Sequence, residues 1–240
     1  ETGTNVKELY ELENEINQMQ DNLLKADEAE RVFFQNASHE LRTPLMSISG
    51  YAQGIQRGVF EDAFQAAGVI LDESSRLTEV VDGILTLTRM DQMRYQVVPV
   101  ELGIREYIED QIERLEGLAY QKKIKLEFLP GDEHKIISDV MLLGRAFSNV
   151  TSNCIRYAKE TVQISVEAAG DRLKITIRDD GPGISEADLP HLFDRFYKGK
   201  NGNHGLGLSI AKRSMEYMGG NIEAESSPEG AIFMIILPQD

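Results

Sequence analysis

Cysteine is almost missing from this 240-residue chain: Cys154 stands alone, which excludes an internal disulfide framework and fits a reducing compartment. Basic charge is scarce as well. Lys and Arg number 25 against 40 Asp and Glu, a formal charge of -15, so the clustered cations that phosphate backbones require are lacking. Nucleic acid is therefore not expected as a partner, and the excess acid reads as a solubilising surface. Long apolar runs are missing too. The longest, Ala231 to Leu237, is far short of a membrane-spanning helix, and no secretory leader pattern is visible, so the chain reads as soluble. The phosphate-binding Gly-Lys-Ser/Thr loop is absent, as is Gly-x-Gly-x-x-Gly, which excludes P-loop and Rossmann sites.

What is present falls into three segments. Residues 1–30 contain no proline and are rich in Glu, Gln, Asn and Lys. Leu9, Leu12, Ile16, Met19, Leu23 and Ala26 recur at alternating steps of three and four, the seam of a dimeric coiled coil. A lone amphipathic helix would share this pattern. Near Phe33 the phase slips to a new stripe of Phe34, Ala37, Leu41, Ile48 and Ile55, a stutter that unwinds a coiled coil. Residues 31–95 read as a helical hairpin turning near Ile55 to Gly58. Its returning helix carries Phe64, Ala67, Leu71, Ser74, Thr78, Val81, Leu85 and Thr88 on one face. Two helices bury too little alone, so two hairpins pairing as a four-helix bundle is the expected arrangement.

From Val97 onward, strand and helix patterns alternate. Strands are expected over Val98–Leu102, Ile124–Phe128, Val162–Glu167, Leu173–Arg178, Asn221–Glu225 and Ala231–Leu237. Helices are expected over Ile104–Tyr120, Val140–Tyr157, Ala187–Phe193 and Leu206–Met218. The fold class is thus a mainly α hairpin followed by an α+β sandwich, with helices on one face of a mixed sheet.

The sharpest chemistry lies in Ser38-His39-Glu40-Leu41-Arg42-Thr43-Pro44-Leu45. On a helix, His39 is about 200° from both Ala37 and Leu41, so it points away from the apolar seam. Imidazole titrates near neutrality and offers a neutral nucleophile; Glu40 is adjacent, and Thr43 is one turn further on the same face. Pro44 removes a backbone hydrogen bond and should bend the helix there. An isolated His–Glu surface pair would carry no such meaning.

A second constellation follows. Asn149 and Asn153 share a helix face, with Arg156 and Tyr157 after them; neutral amide oxygens suit Mg²⁺ that already carries phosphate oxygens, whereas an isolated pair would read as helix caps. Asp179-Asp180-Gly181-Pro182-Gly183-Ile184 follows a strand, where a carboxylate can accept from an adenine amine and glycines allow close approach. Alone, this would be an ordinary turn. Phe193, Arg195, Phe196 and Lys198 lie in a segment up to His204 with basic residues and no acidic one after Asp194, the local reversal a lid over polyphosphate needs. Gly205-Leu206-Gly207-Leu208 then opens a helix, offering N–H groups to a phosphate.

The octet around His39 resembles the H-box of the dimerisation and phosphotransfer domain of sensor histidine kinases. The later elements resemble, in order and spacing, the N, G1, F and G2 boxes of the GHKL, or Bergerat, ATP-binding fold. The resemblance implies that His39 is the phospho-acceptor, that Glu40 is its general base, and that Glu40 with Thr43 serves dephosphorylation of a partner. It implies that Asn153, supported by Asn149, ligates Mg²⁺ and that Asp179 reads the adenine. By the same resemblance Phe193 and Phe196 anchor the lid, while Arg195 and Lys198 reach the phosphates. ATP and Mg²⁺ are the implied cofactors. A homodimer and a response-regulator receiver domain are the implied partners, with the membrane reached only through segments upstream of a cytoplasmic core. The segment before residue 30 is similar to the end of a HAMP-type signalling helix. Two departures stand out: Arg156 occupies a position where lysine is usual, and Asn203-His204-Gly205-Leu206-Gly207-Leu208 lacks the customary first glycine, Gly202 lying one place earlier. Without the H-box, a GHKL ATPase using ATP as a conformational clamp would explain the boxes. A nucleotide-binding signalling scaffold is a third reading.

Overall fold

The computed structural model describes residues 2–92, 95–199 and 205–239, apart from the side chains of residues 2–7, 9, 22 and 26. Two helices open the chain: α1, Thr2–Gln56, and α2, Ala63–Asp91. Contacts divide the molecule into two compact units, Glu1–Thr78 and Glu79–Asp240, so that α2 begins in one and ends in the other.

In the first unit α1 is a single unbroken helix of 55 residues, with the hairpin turn following Gln56 as expected. Gly58 takes φ +66 there. The turn closes by Val59 N–H donating to the Gly54 carbonyl at 2.9 Å and by Phe60 stacking on Tyr51 at 5.3 Å. A Cβ on Gly54 would meet the Phe60 ring at 2.2 Å, so glycine is required where that ring lies. Asp62 starts α2, accepting from Phe64 N–H and Gln65 N–H at 2.9 and 3.0 Å.

The apolar stripes differ from expectation in one respect. Phe33 is buried and Phe34 is exposed, because the buried line on α1 runs Phe33, Ala37, Pro44 in helical steps of four and seven. Leu12, Ile16, Met19 and Leu23 are all exposed in the single chain; the Leu9 and Ala26 side chains lie outside those described. On α2 the buried line is Ala66, Val80, Leu87 and Met90, whereas Phe64, Leu71, Val81 and Leu85 remain open. The returning helix therefore has two apolar faces, and only one is covered within this chain.

The second unit continues with β1 (Pro99–Gly103), α3 (Ile104–Lys122), β2 (Lys125–Phe128), β3 (Lys135–Asp139), α4 (Val140–Tyr157), β4 (Thr161–Ala169) and β5 (Arg172–Asp179). It closes with α5 (Gly207–Tyr217), β6 (Asn221–Ser227) and β7 (Gly230–Pro238). The expected strands and long helices are present within a few residues. The expected helix over Ala187–Phe193 is reduced to a 3-10 turn at Leu189–His191, which Pro190 favours over a longer helix. Strand β3 was not foreseen. It pairs antiparallel with β1, and its last residue, Asp139, accepts from Met141 and Leu142 N–H at 2.9 Å each, capping α4, and from Val98 N–H at 2.8 Å.

The main sheet has the order β2-β4-β5-β7-β6, parallel between β2 and β4 and antiparallel elsewhere. Strict alternation sets its inner face: Val162, Ile164 and Val166 on β4, Leu173, Ile175 and Ile177 on β5, Phe233, Ile235 and Leu237 on β7. These pack with Ile104, Ile108, Phe147 and Val150 of α3 and α4 and with Met215 of α5 in one core. Among the described residues no helix is long and apolar enough to cross a membrane.

Candidate functional site

His39 is exposed on α1, between buried Ala37 and half-buried Leu41, as the helical geometry requires. Glu40 is half-buried, in line with the Phe33–Ala37–Pro44 stripe, and Thr43 is exposed. The Thr43 hydroxyl donates to the His39 carbonyl at 3.3 Å, one turn back. It thus ties the two residues through the backbone while its oxygen lone pairs stay available. The α-helix runs on through Pro44 to Gln56.

The second group of site residues gathers in the other unit, at the end of β5. Asp179 continues the inward register Leu173, Ile175, Ile177, so the alternation that buries the core also buries its carboxylate. Burial pushes its pKa up, against backbone donors at Ala231 and Gly181 and the Cys154 thiol. Its Oδ1 accepts from Gly181 N–H at 2.9 Å and Ala231 N–H at 3.1 Å. The desolvated thiol of Cys154 is itself pushed well up. Asp180, pointing the other way, accepts from Lys159, Glu160 and Thr161 N–H at 2.7 to 3.1 Å. Burial raises its pKa, but those donors together outweigh that effect and lower it.

Glycines shape the walls. A Cβ on Gly181 would lie 2.4 Å from the Tyr157 carbonyl, and one on Gly207 would lie 2.8 Å from Asn149 Oδ1. The sequence elements ending α4, following β5 and opening α5 are thereby brought together. Gly183 has φ +74 and faces Ser226, whose hydroxyl accepts from Ile184 N–H at 2.7 Å. Asn149 spends one amide hydrogen on the Arg145 carbonyl at 2.8 Å, leaving its oxygen toward Gly207. Asn153 is half-buried, and its side chain has no hydrogen-bonding partner among the described residues. Arg156 is exposed.

In the lid segment, Phe193 is partly buried and packs against the core, as do Ile184 and Leu208. Phe196 has φ +62 and donates its N–H to the Gly205 carbonyl at 2.7 Å, pinning the two stems of the segment together. Lys198 is exposed, while Arg195 is held by Asp91 of α2 at 2.7 Å. Leu206 is buried and, among the described residues, gives α5 no side-chain cap at Gly207; the first N–H groups of such a helix can be met by solvent or an anion. Gly202, Asn203 and His204 lie outside the described residues.

A purine nucleotide fits this chemistry. The buried carboxylate can accept a hydrogen bond, glycine walls admit close approach, and the uncapped helix suits phosphate. Among the described residues no group of three His, Cys, Asp or Glu gathers to hold a metal; neutral amide oxygens such as those of Asn149 and Asn153 suit a divalent ion that already carries phosphate oxygens. The sequence did not point to Asp91, Cys154, Ser226 or Ala231, each of which contacts a site residue only through the tertiary fold.

Residues 29–92 match the model of the His Kinase A phospho-acceptor domain, and residues 138–240 match that of the histidine kinase-, DNA gyrase B- and HSP90-like ATPases. The chain belongs to the histidine kinase family. It is 34% identical to the sensor histidine kinase CssS of Bacillus subtilis over 97% of its length, covering 52% of that protein. It thus spans about half the length of the curated relatives it matches. Histidine kinase AdeS of Acinetobacter baumannii has the same fold, with a TM-score of 0.72 at 24% identity, 84% of this chain matching 98% of that one. So does histidine kinase ThkA, solved in complex with the response regulator protein TrrA: TM-score 0.72 at 20% identity, 97% of this kinase chain matching 67% of that one.

Proposed function

We propose that this chain is the catalytic core of a sensor histidine kinase. In this reading residues 31–95 form the dimerisation and phosphotransfer domain, residues 96–240 bind ATP, and residues 1–30 relay a signal as a coiled coil. The observation that carries it is the pairing, in one chain, of an exposed His39 flanked by Glu40 with a buried carboxylate, Asp179, walled by glycines. The ring nitrogen of His39 attacks the γ-phosphorus of ATP in line. An N–P bond forms as the bond to the ADP oxygen breaks, and Glu40 takes the ring proton. Asp179 accepts from the adenine amine, with Gly181, Gly183 and Ile184 forming the floor beside it. Asn149, Asn153, Arg156 and Tyr157 line the opposite wall, and Gly205, Leu206, Gly207 and Leu208 present the α5 N-terminus to phosphate. Arg195 and Lys198 supply cationic groups, on a lid seated by Phe193 and Phe196. When bound, Mg²⁺ neutralises phosphate charge, with Asn153 as its principal protein ligand and Asn149 in support.

The phosphoryl group then passes to an aspartate of a response regulator, and Glu40 with Thr43 assists hydrolysis of that product. Exposed Phe64, Leu71, Val81 and Leu85 on α2 and Leu12, Ile16, Met19 and Leu23 on α1 support a homodimer, since such stripes on a helical hairpin are buried by a second copy. The chain would be the cytoplasmic portion of a membrane sensor.

The test is incubation with γ-labelled ATP and Mg²⁺, beside His39→Ala. Acid-labile, base-stable label that vanishes in the variant supports the kinase. ATP turnover without protein label would replace it by a clamp ATPase, and binding with neither by a scaffold.

A further inference from the structure

Asp91 is the last residue of α2, and its carboxylate stands against the lid segment. Arg195 Nη2 donates to Asp91 Oδ1 at 2.7 Å, joining residues 104 positions apart. Other contacts fix the place of that carboxylate independently of Arg195. The Tyr217 hydroxyl donates to the Met90 carbonyl. Two turns earlier, Gly83 lies against Leu206, where an added Cβ would be 3.0 Å from the leucine side chain. The last turns of α2 therefore touch the lid at Arg195 and the chain just after the lid at Leu206.

We propose that Asp91 is a positioning residue that competes with nucleotide phosphate for the Arg195 guanidinium. In nucleotide-free protein the carboxylate occupies the anion's place on Arg195, and a bound triphosphate takes the guanidinium over. This rests on the reading of Arg195 as a phosphate-facing lid residue. A planar guanidinium offers the same fork of N–H donors to carboxylate and phosphate, so the two anions are interchangeable ligands. The ion pair is weak enough to exchange, since its side chains are 36% and 38% exposed and solvent screens them. Nor does exchange strand Asp91. Arg213 Nε lies 3.7 Å from the same Oδ1, while Arg213 Nη1 is tied to Glu216 at 3.0 Å, so a second cation stays beside the carboxylate. By linkage, docking of the α2 end on Arg195 and triphosphate binding disfavour each other by the same factor.

The test is calorimetric titration of the whole chain with Mg²⁺ and a non-hydrolysable ATP analogue, and separately with adenosine, for the wild type, Asp91→Asn, Asp91→Glu and Arg195→Ala. Asp91→Asn should bind the triphosphate about two- to five-fold tighter, the range an exposed ion pair commands, with adenosine unchanged and the gain shrinking in high salt. Asp91→Glu should restore wild-type affinity. In the Asp91→Asn/Arg195→Ala double variant the gain should vanish. Unchanged or weaker triphosphate binding by Asp91→Asn overturns the proposal. So does an equal gain for adenosine, which would mark general loosening of the site. Arg195→Ala binding triphosphate as the wild type does would instead overturn the phosphate-facing reading of Arg195, and the proposal with it. Wild-type protein binding neither ligand would overturn the nucleotide site as a whole.

Discussion

A Cβ placed on Gly230 would lie 1.8 Å from the carbonyl oxygen of Asp179. The tip of the β6–β7 hairpin is thus pressed onto the backbone of the residue proposed to read the base, and the next residue, Ala231, donates its N–H to that same residue's carboxylate at 3.1 Å. With φ +135 at Gly230, a side chain is excluded both by its neighbour and by its own backbone. Gly230→Ala should cost about 2–4 kcal/mol and abolish nucleotide binding. Gly170→Ala provides the comparison, because Gly170 also has positive φ (+69) but meets nothing within 4 Å. It should lose only about 1 kcal/mol, from backbone strain. Thermal melts of the two variants check this, and equal losses would show that the Asp179 contact carries no special weight.

Asp179 itself should trade stability for recognition. Burial raises its folded-state pKa above the unfolded value of about 3.9. Below the unfolded value both states are protonated and the group contributes nothing. As pH rises toward the raised folded value, the unfolded chain ionises first and the folded state loses ground. Asparagine keeps an oxygen for Gly181 and Ala231 N–H but has no proton to lose. The melting temperature of nucleotide-free Asp179→Asn, relative to wild type, should therefore climb as pH rises from about 4, then level off. Affinity for adenine nucleotides should fall at the same time. A relative melting temperature that falls with pH would mean that the three hydrogen-bond donors outweigh burial.

The open face of α2 gives a third expectation. Phe64 is 89% and Leu71 69% exposed in the single chain, on the face opposite buried Ala66 and Val80. A glutamate at Leu71 would place a charge in the middle of that stripe without touching the face the chain buries itself. Leu71→Glu should shift the protein from dimer toward monomer in sedimentation velocity, while far-ultraviolet circular dichroism stays near wild type. A dimer of unchanged affinity would mean that the second copy docks elsewhere.

These features were unequally visible in the sequence. The α4 boundaries were legible because Leu142, Leu143, Ala146, Phe147, Val150 and Cys154 keep a helical period, and the polar residues between them mark the open side. Asp179 was legible as a motif, and the alternation of Leu173, Ile175 and Ile177 already carried its burial. The returning helix was only half legible. Its apolar residues occupy two faces, and periodicity picked out the face that this chain leaves open. Strand β3 was lost because its five residues include Lys135, Ser138 and Asp139, leaving only two apolar positions to signal a strand. The Arg195–Asp91 pair and the Ser226 hydroxyl under Ile184 N–H had no sequence signal, since each joins distant elements that only the fold brings together.

Thr43 separates the two activities proposed for the α1 site. Its hydroxyl hydrogen is directed to the His39 carbonyl at 3.3 Å, so it is not poised to donate a proton to the His39 ring. Removing it leaves the ring nitrogen, Glu40 and the helix in place, and Thr43→Ala should keep autophosphorylation within about two-fold of wild type. Hydrolysis of a phosphorylated receiver domain differs, because the attacking water needs an acceptor to hold it, and the lone pairs of the Thr43 oxygen are free to do so. Loss of such a positioning group costs on the order of 10²-fold. Thr43→Ala should therefore lose dephosphorylation by about that factor. Thr43→Ser should retain it, since a serine hydroxyl can make the same backbone bond one turn back. Release of phosphate from labelled regulator, followed for all three proteins, decides the matter. Equal rates for Thr43→Ala and wild type would remove Thr43 from the hydrolytic step, and loss of autophosphorylation in Thr43→Ala would show that it serves the kinase step instead.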